Sequence, residues 1–250
     1  MVNFLFKKSY RLSDFSNVPY KSLWGTRGVF TTVRLYKKRN NLILIDEHLK
    51  NFNKSIKKFD INFKLNKYII LALLEPSKRL KKYDHLLRIA CNKNILSISL
   101  RNRIKISKKF SIYLKFYQRK IPNFKHLNYA KVLNLQKKIN LSNEEIVFYN
   151  NNTILEGSTS NIIFVKNNTL YIPTTGYYFG ITLRYLLRET KMKIVKKNIK
   201  IDDLINYNEI LLVGSGKTVI NVSFIKDIKW KKSSVKIYKK LLNTYQKLLI

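Results

Sequence analysis

Short runs of apolar, β-branched and aromatic residues, each closed by a polar turn, alternate with segments of helical spacing along this sequence, and that alternation confines the chain to a mixed α/β fold. Val29-Phe30-Thr31-Thr32-Val33-Arg34-Leu35-Tyr36 reads as a strand, residues 37–41 as a polar turn, and Leu42-Ile43-Leu44-Ile45 as the return strand of a hairpin. Asp46 can then cap a helix whose apolar residues Leu49, Phe52, Ile56 and Phe59 recur at three- and four-residue intervals on one face. A second helix is expected from Leu65 through Leu74, broken near Pro76. Strands at 86–91 and 95–100, joined by Asn92-Lys93-Asn94, and another at 111–116 complete an α/β first domain.

The polar stretch Tyr117-Gln118-Arg119-Lys120 before Pro122 is the candidate interdomain crossing, dividing the chain into domains 1–117 and 121–250. A helix around 128–138 follows, then strands at 145–149, from the Asn150-Asn151-Asn152 turn into Glu156, at 162–165, and at 169–172 after the Lys166-Asn167-Asn168 turn. These read as an antiparallel meander. Gly180-Ile181-Thr182 opens a helix through Arg188, and residues 209–213 make a late strand running into Gly214-Ser215-Gly216. No internal repeat is present.

With 250 residues and 45% apolar content, the chain can bury a full core. The single cysteine, Cys91, lies in an apolar run, excludes an intrachain disulfide and reads as a core residue in a reducing compartment. Lys7, Lys8 and Arg11 interrupt the N-terminal segment, and the apolar run 68–74 is too short to span a bilayer, so a cytoplasmic protein without a membrane partner is expected. The net charge of +36 would suit a nucleic-acid-binding domain, but the lysines are scattered through nearly every segment and carry no zinc-finger spacing or aromatic RNA-binding signature. The charge reads as a solvated basic surface with no nucleic-acid partner. It could still steer anions toward a cleft. His48, His85 and His126 are widely separated and no cysteine cluster exists, so no metal is expected.

Two segments carry the chemistry. In Glu156-Gly157-Ser158-Thr159-Ser160-Asn161-Ile162-Ile163-Phe164 a carboxylate on a glycine-bearing turn feeds an apolar strand, and upstream lies Phe124-Lys125-His126-Leu127-Asn128-Tyr129. Together they resemble the fold-type IV pyridoxal-phosphate enzymes, the class-IV aminotransferases and aminodeoxychorismate lyases. The resemblance extends from Trp24 through Asp227 and is strongest over residues 156–187. It implies a two-domain fold with pyridoxal 5'-phosphate in a cleft between domains, and a homodimer. Lys125 would carry the cofactor and move the substrate's Cα proton, and Glu156 would face the ring nitrogen and favour its protonated form. Tyr129 matches a tyrosine on the phenolic oxygen, and Asn161 an asparagine regularly present in the family. Ile181 and Thr182 match the family's helix entry, and Gly214, Ser215 and Gly216 its small-residue turn; both are places where main-chain donors favour a phosphate. Gly216-Lys217-Thr218 also mimics the end of a nucleotide-binding P-loop, but Leu211 stands where that motif needs glycine and Val219-Ile220 reads as extended.

The strand at 29–34 resembles the Phe-Thr-Thr-x-Arg strand of aminodeoxychorismate lyases, which makes Thr31 and Arg34 the substrate-binding candidates. Two departures stand out. Asn51 replaces the arginine that in relatives clamps the phosphate, with Lys54 one turn along as a point charge that cannot reproduce a bidentate fork. The glycine- and arginine-rich substrate loop is missing between Leu100 and Phe110. The resemblance implies a lyase converting 4-amino-4-deoxychorismate to 4-aminobenzoate and pyruvate in folate synthesis. Transamination of branched-chain or D-amino acids is the alternative, and a basic binding protein that has lost catalysis is a second one.

Overall fold

The computed structural model describes residues 3–78 and 80–250. The chain divides into two units: one runs to Ile104 and takes in Phe124–Ala130, and the other holds Lys105–Asn123 and Lys131–Ile250.

The first unit is built on five strands, β1 (Phe4–Arg11), β2 (Asn17–Val18), β3 (Gly28–Tyr36), β4 (Asp84–Asn92) and β5 (Ile95–Asn102). They form an antiparallel sheet in the order β2-β1-β5-β4-β3. Side chains along β3 alternate between two buried faces. Val29, Val33 and Leu35 join a core with Leu87, Ile89 and Ile98, while Phe30 joins Leu23, Ala90, Ile95 and Leu127 in a second cluster. Helix α1 (Ile45–Lys58) adds Phe52 and Ile56 to the first core, so the apolar spacing read from the sequence is the packing face. Each such side chain removed from water contributes about 1.5–3 kcal/mol.

The expected 29–45 hairpin is corrected. Its return arm is a single bridge, Leu35 to Leu42, because Leu44 turns into the left-handed region at φ 56° and the chain enters α1 at once. Strand β3 pairs instead along its whole length with β4, from Gly28 opposite Asn92 to Tyr36 opposite Asp84. Asp46 is likewise not the cap: Leu44 occupies that place without a side-chain bond, and Asp46 and Glu47 fall in the first turn, where their charge complements the helix dipole. Helix α2 (Lys67–Leu73) begins two residues later than expected because Asn66 caps it, its Oδ1 accepting from Ile69 N at 2.9 Å. Pro76 lies in the short 3-10 turn Glu75–Ser77 beyond it.

The second unit contains β6 (Ser111–Phe116), α3 (Ala130–Gln136), β7 (Glu144–Asn150), β8 (Thr153–Gly157), β9 (Asn161–Lys166), β10 (Thr169–Ile172), α4 (Ile181–Glu189), β11 (Ile194–Lys196), β12 (Glu209–Gly214), β13 (Thr218–Asn221), β14 (Phe224–Ile225), β15 (Trp230–Lys231) and α5 (Lys236–Gln246). Ala130, the first residue of α3, is counted with the first unit. Its strands form two sheets, ordered β15-β14-β6-β7-β8 and β11-β10-β9-β12-β13. The expected meander is therefore two hairpins in different sheets, β7–β8 and β9–β10, with the chain crossing between sheets over residues 158–160. Strand β6 pairs in parallel with β7. Each hairpin turns on two asparagines with positive φ, Asn151 and Asn152 at 45° and 57° and Asn167 and Asn168 at 50° and 57°, the backbone that a two-residue turn demands.

Strands β9 and β12 are buried on both faces, which explains their unbroken apolar runs. Ile162, Phe164, Ile210 and Leu212 meet Ile112, Val147 and Ile154 of the other sheet, whereas Ile163, Val165, Leu211 and Val213 meet Leu183 and Leu186 of α4 and Ile237, Leu241 and Tyr245 of α5. Among the described residues no helix is long and apolar enough to cross a membrane.

Candidate active site

In the first unit, residues 124–130 run along β3. Lys125 O accepts from Phe30 N at 2.9 Å, Leu127 N donates to Gly28 O at 2.8 Å, and Leu127 O accepts from Gly25 N at 2.9 Å. Gly28 is needed for this approach, since a Cβ there would meet Cys91 O at 2.4 Å and Leu127 Cδ1 at 2.7 Å. Backbone bonding thus fixes Lys125, and its Nζ lies 5.1 Å from the Phe30 ring centroid. Tyr129 joins the same aromatic group, 5.5 Å from Phe30 and 5.8 Å from Trp24 between ring centroids. His126 is buried, its ring stacked on Phe59.

Arg34 shares a face of β3 with Phe30 and is buried, donating from Nε to Asp84 Oδ1 at 2.8 Å. Arg103 bonds the other oxygen of Asp84 at 2.7 Å. Arg88 pairs in register with Thr32 and so also faces this side. Its guanidinium lies 3.8 Å over the Trp24 ring and donates to Ser22 O at 2.7 Å, while its Nε has no hydrogen-bond partner among the described residues. Burial pushes the Arg88 pKa down to about 10, with Tyr20 opposing, so it remains a cation at neutral pH. Sequence reasoning passed over Arg88 because it stands inside an apolar strand with no motif around it. Thr31 lies on the opposite face, its Oγ1 2.7 Å from His48 Nδ1, and is not brought together with Lys125. Asn51 O accepts from Ser55 Oγ in α1, and Lys54 is exposed.

In the second unit, Glu156 near the end of β8 is 5% exposed and meets Arg119, itself 3% exposed. Arg119 Nε donates to Oε1 at 2.6 Å and Nη2 to Oε2 at 3.1 Å, a bidentate pair, and Nη2 also reaches Pro122 O at 2.7 Å. In the sequence Arg119 is one cation of a polar crossing, and only its planar fork distinguishes it from the lysine beside it. Tyr178 N gives Glu156 Oε2 a third bond at 3.0 Å. A carboxylate offers about four lone-pair sites, so Glu156 retains capacity for one further donor, which fits a protonated ring nitrogen.

Asn161 acts on the same segment. Its Nδ2 donates to Tyr178 O at 2.5 Å and its Oδ1 accepts from Gly180 N at 3.0 Å, and a Cβ on Gly180 would sit 2.3 Å from that oxygen. Glu156 and Asn161 therefore hold residues 178–180 and, through them, the start of α4, where Ile181 and Thr182 are buried and no side chain caps the helix. The uncapped first turn leaves main-chain donors suited to an anion. Gly214, Ser215 and Gly216 form the turn from β12 to β13, closed by Lys217 N donating to Gly214 O at 3.1 Å; Thr218 begins β13, as the extended reading of Val219-Ile220 expected. Gly214 abuts the 158–160 crossing, where a Cβ would lie 3.4 Å from Thr159 O.

The family model described as Amino-transferase class IV matches residues 28–225. No curated protein sequence matches. Among solved structures, the chain is similar to a candidate 4-amino-4-deoxychorismate lyase of Legionella pneumophila, 16% identical over 88% of this chain and 91% of that one with a TM-score of 0.76. It is also similar to the branched-chain aminotransferase of Thermoproteus uzoniensis with norvaline, 16% identical over 97% and 94% with a TM-score of 0.79. An aminotransferase of Brucella abortus bound to pyridoxal phosphate is 18% identical over 96% and 98%, with a TM-score of 0.75. A family match that runs from the first residue of β3 to the last of β14, joined to the likeness in fold, means that this chain belongs to the amino-transferase class IV family, whose enzymes bind pyridoxal phosphate.

Proposed function

We infer that the protein is a pyridoxal-phosphate-dependent lyase that converts 4-amino-4-deoxychorismate to 4-aminobenzoate and pyruvate. The observation that carries this reading is the pair of arginines, Arg34 and Arg88, on the sheet face where the Lys125 amine overlies Phe30. The substrate carries two carboxylates, and the unused Nε donor of Arg88 beside Trp24 suits one of them together with an unsaturated ring.

When bound, the cofactor supplies an electron sink for the substrate carbon that bears the amine. Lys125 would hold it and would take the proton from that carbon; the C–O bond on the neighbouring ring carbon would break, enolpyruvate would leave and take up a proton as pyruvate, and the ring would become aromatic. Glu156, oriented by Arg119, would hold the cofactor ring nitrogen, and Tyr129 would serve the phenolic oxygen. The start of α4 at Ile181 and Thr182 and the 214–216 turn would hold the phosphate. Asn161 acts by fixing residues 178–180. Arg34 binds substrate; Thr31 serves only indirectly, through His48. The working form is a homodimer.

The test is product analysis: purified protein with pyridoxal phosphate should release pyruvate and 4-aminobenzoate from 4-amino-4-deoxychorismate. Keto-acid formation from branched-chain or D-amino acids, with no 4-aminobenzoate, would replace the lyase with a transaminase. That second reading is favoured by the match to an amino-transferase family and uses the same lysine and glutamate.

A further inference from the structure

Glu145, the second residue of β7, is fully buried and accepts an unusual number of bonds for a group outside the proposed chemistry. Its Oε1 accepts from Thr159 N at 2.6 Å, Thr159 Oγ1 at 3.0 Å and Ser158 Oγ at 3.4 Å; its Oε2 accepts from Ser160 Oγ at 2.9 Å and Lys217 Nζ at 2.5 Å. Lys217 is 9% exposed, with its amine 4.9 Å from the Phe110 ring centroid. Gly157 is shaped to this arrangement, since a Cβ there would meet Ser160 Oγ at 2.4 Å and Glu145 Oε1 at 2.8 Å.

A buried ion pair is a poor source of net stability, because removing both charges from water costs about as much as their attraction returns. What such a pair does supply is fixed geometry. Glu145 bonds every residue of the 158–160 crossing, which separates Glu156 from Asn161, and it bonds Lys217, which closes the 214–216 turn. The two segments lie close together, since a Cβ added to Gly214 would come within 3.4 Å of Thr159 O. One carboxylate therefore sets the spacing between two turns that the sequence keeps more than fifty residues apart.

We propose that Glu145 and Lys217 are positioning residues for the phosphate end of the cofactor site, holding the 214–216 turn against the 158–160 crossing in the shape that receives a phosphate dianion. This rests on the reading that the 214–216 turn binds the phosphate of pyridoxal phosphate. Neither residue touches the cofactor in this scheme. Both act through the turns.

Pyridoxal shares the ring and aldehyde of pyridoxal phosphate and lacks only the phosphate, so the ratio of the two affinities isolates the phosphate end. Both compounds should be titrated into the wild-type protein and into Glu145→Gln, Lys217→Met and Ser160→Ala, with binding read by visible absorbance and folding by circular dichroism. Pyridoxal phosphate should bind about tenfold more weakly to Glu145→Gln and Lys217→Met while pyridoxal binding changes little, the loss expected when a site is no longer preorganised. Ser160→Ala, which removes one neutral bond, should lower the ratio by a smaller factor and decides the matter if the charge variants do not fold. Folded variants that keep the wild-type ratio, or that lose both compounds equally, overturn the proposal. A wild-type protein that binds neither compound overturns the underlying reading and the proposal with it; one that binds pyridoxal phosphate with an unchanged ratio across the variants overturns the proposal alone.

Discussion

Glu156 and Glu145 are buried carboxylates on neighbouring strands of one sheet, each facing a buried cation, yet the two pairs are finished differently. Arg119 takes Glu156 in a planar fork and Tyr178 N adds one bond, which leaves acceptor capacity unused. Glu145 is saturated by Lys217, two hydroxyls at short range, a third at 3.4 Å and a main-chain N–H. An acid with a lone pair to spare is suited to a ligand, and one without is suited to holding loops. Burial alone would not separate them, since side-chain exposures are 2% and 7% for Arg119 and Glu156 and 10% and 0% for Lys217 and Glu145. Exposed pairs such as Arg27 and Asp60 belong to neither kind and contribute at most about 1 kcal/mol.

The contrast can be broken most directly at Glu156. Glu156→Gln should lower kcat/KM by about 10²–10³-fold, as loss of a preorganised charge at the reacting group does, and steady-state kinetics on the loaded enzyme would read it. Wild-type turnover in that variant would mean that the spare lone pair serves no ligand.

Next in size is stability. Lys217→Met leaves the Glu145 carboxylate buried without its cation and should cost about 3–5 kcal/mol in a urea titration, whereas Glu145→Leu combined with Lys217→Met should recover most of the loss. A double variant as unstable as the single one would show that the hydroxyl bonds, not the charge balance, dominate.

A third buried acid sharpens the comparison from outside it. Glu209 accepts from Ile237 N at 2.9 Å, Tyr238 N at 2.7 Å and Ser234 Oγ at 2.8 Å and so caps α5 with no cation paired to it among the described residues. Glu209→Gln should cost about 1–2 kcal/mol, with faster amide exchange confined to the start of α5.

The smallest effect concerns alkaline pH. Burial is the main cause that raises the Tyr207 pKa, to about 12, and it also raises Tyr10, Tyr117, Tyr177 and Tyr185. Phenols that hold their protons more tightly when folded contribute stability that is fully present below the unfolded value of about 10 and is lost as pH climbs through the folded one. Melting temperature should therefore be insensitive to these groups up to that value and decline above it.

Much of this architecture could be read from residue patterns, and the gaps have physical causes. Strands at 111–116 and 169–172 and the helix after Gly180 match because local propensity and burial agree there. The 29–45 hairpin failed because β4, fifty residues on, offers β3 a nine-residue ladder that outweighs a local turn. Strand β1 was hidden by Lys7 and Lys8 on an apolar run, and α5 went unread although Ile237, Leu241 and Tyr245 recur every fourth residue among its lysines. At the site, Lys125 and Glu156 stood out through motif resemblance, whereas Arg119, Arg88 and Glu145 carry no motif. Their importance lies in burial and in partners supplied by distant segments, which a single sequence does not encode locally.

The lysine-bearing segment has a consequence for synthesis. Gly25, Gly28 and Phe30 use main-chain groups to bind residues 125–127, so the first unit lacks one of its edges until that segment is present. A nascent chain stalled at Ile104 would already hold all five strands of the sheet yet leave those amides and carbonyls to water. Closure of the first unit must wait for residues 125–127 to emerge from the ribosome, by which time the opening strand of the second unit has been made as well.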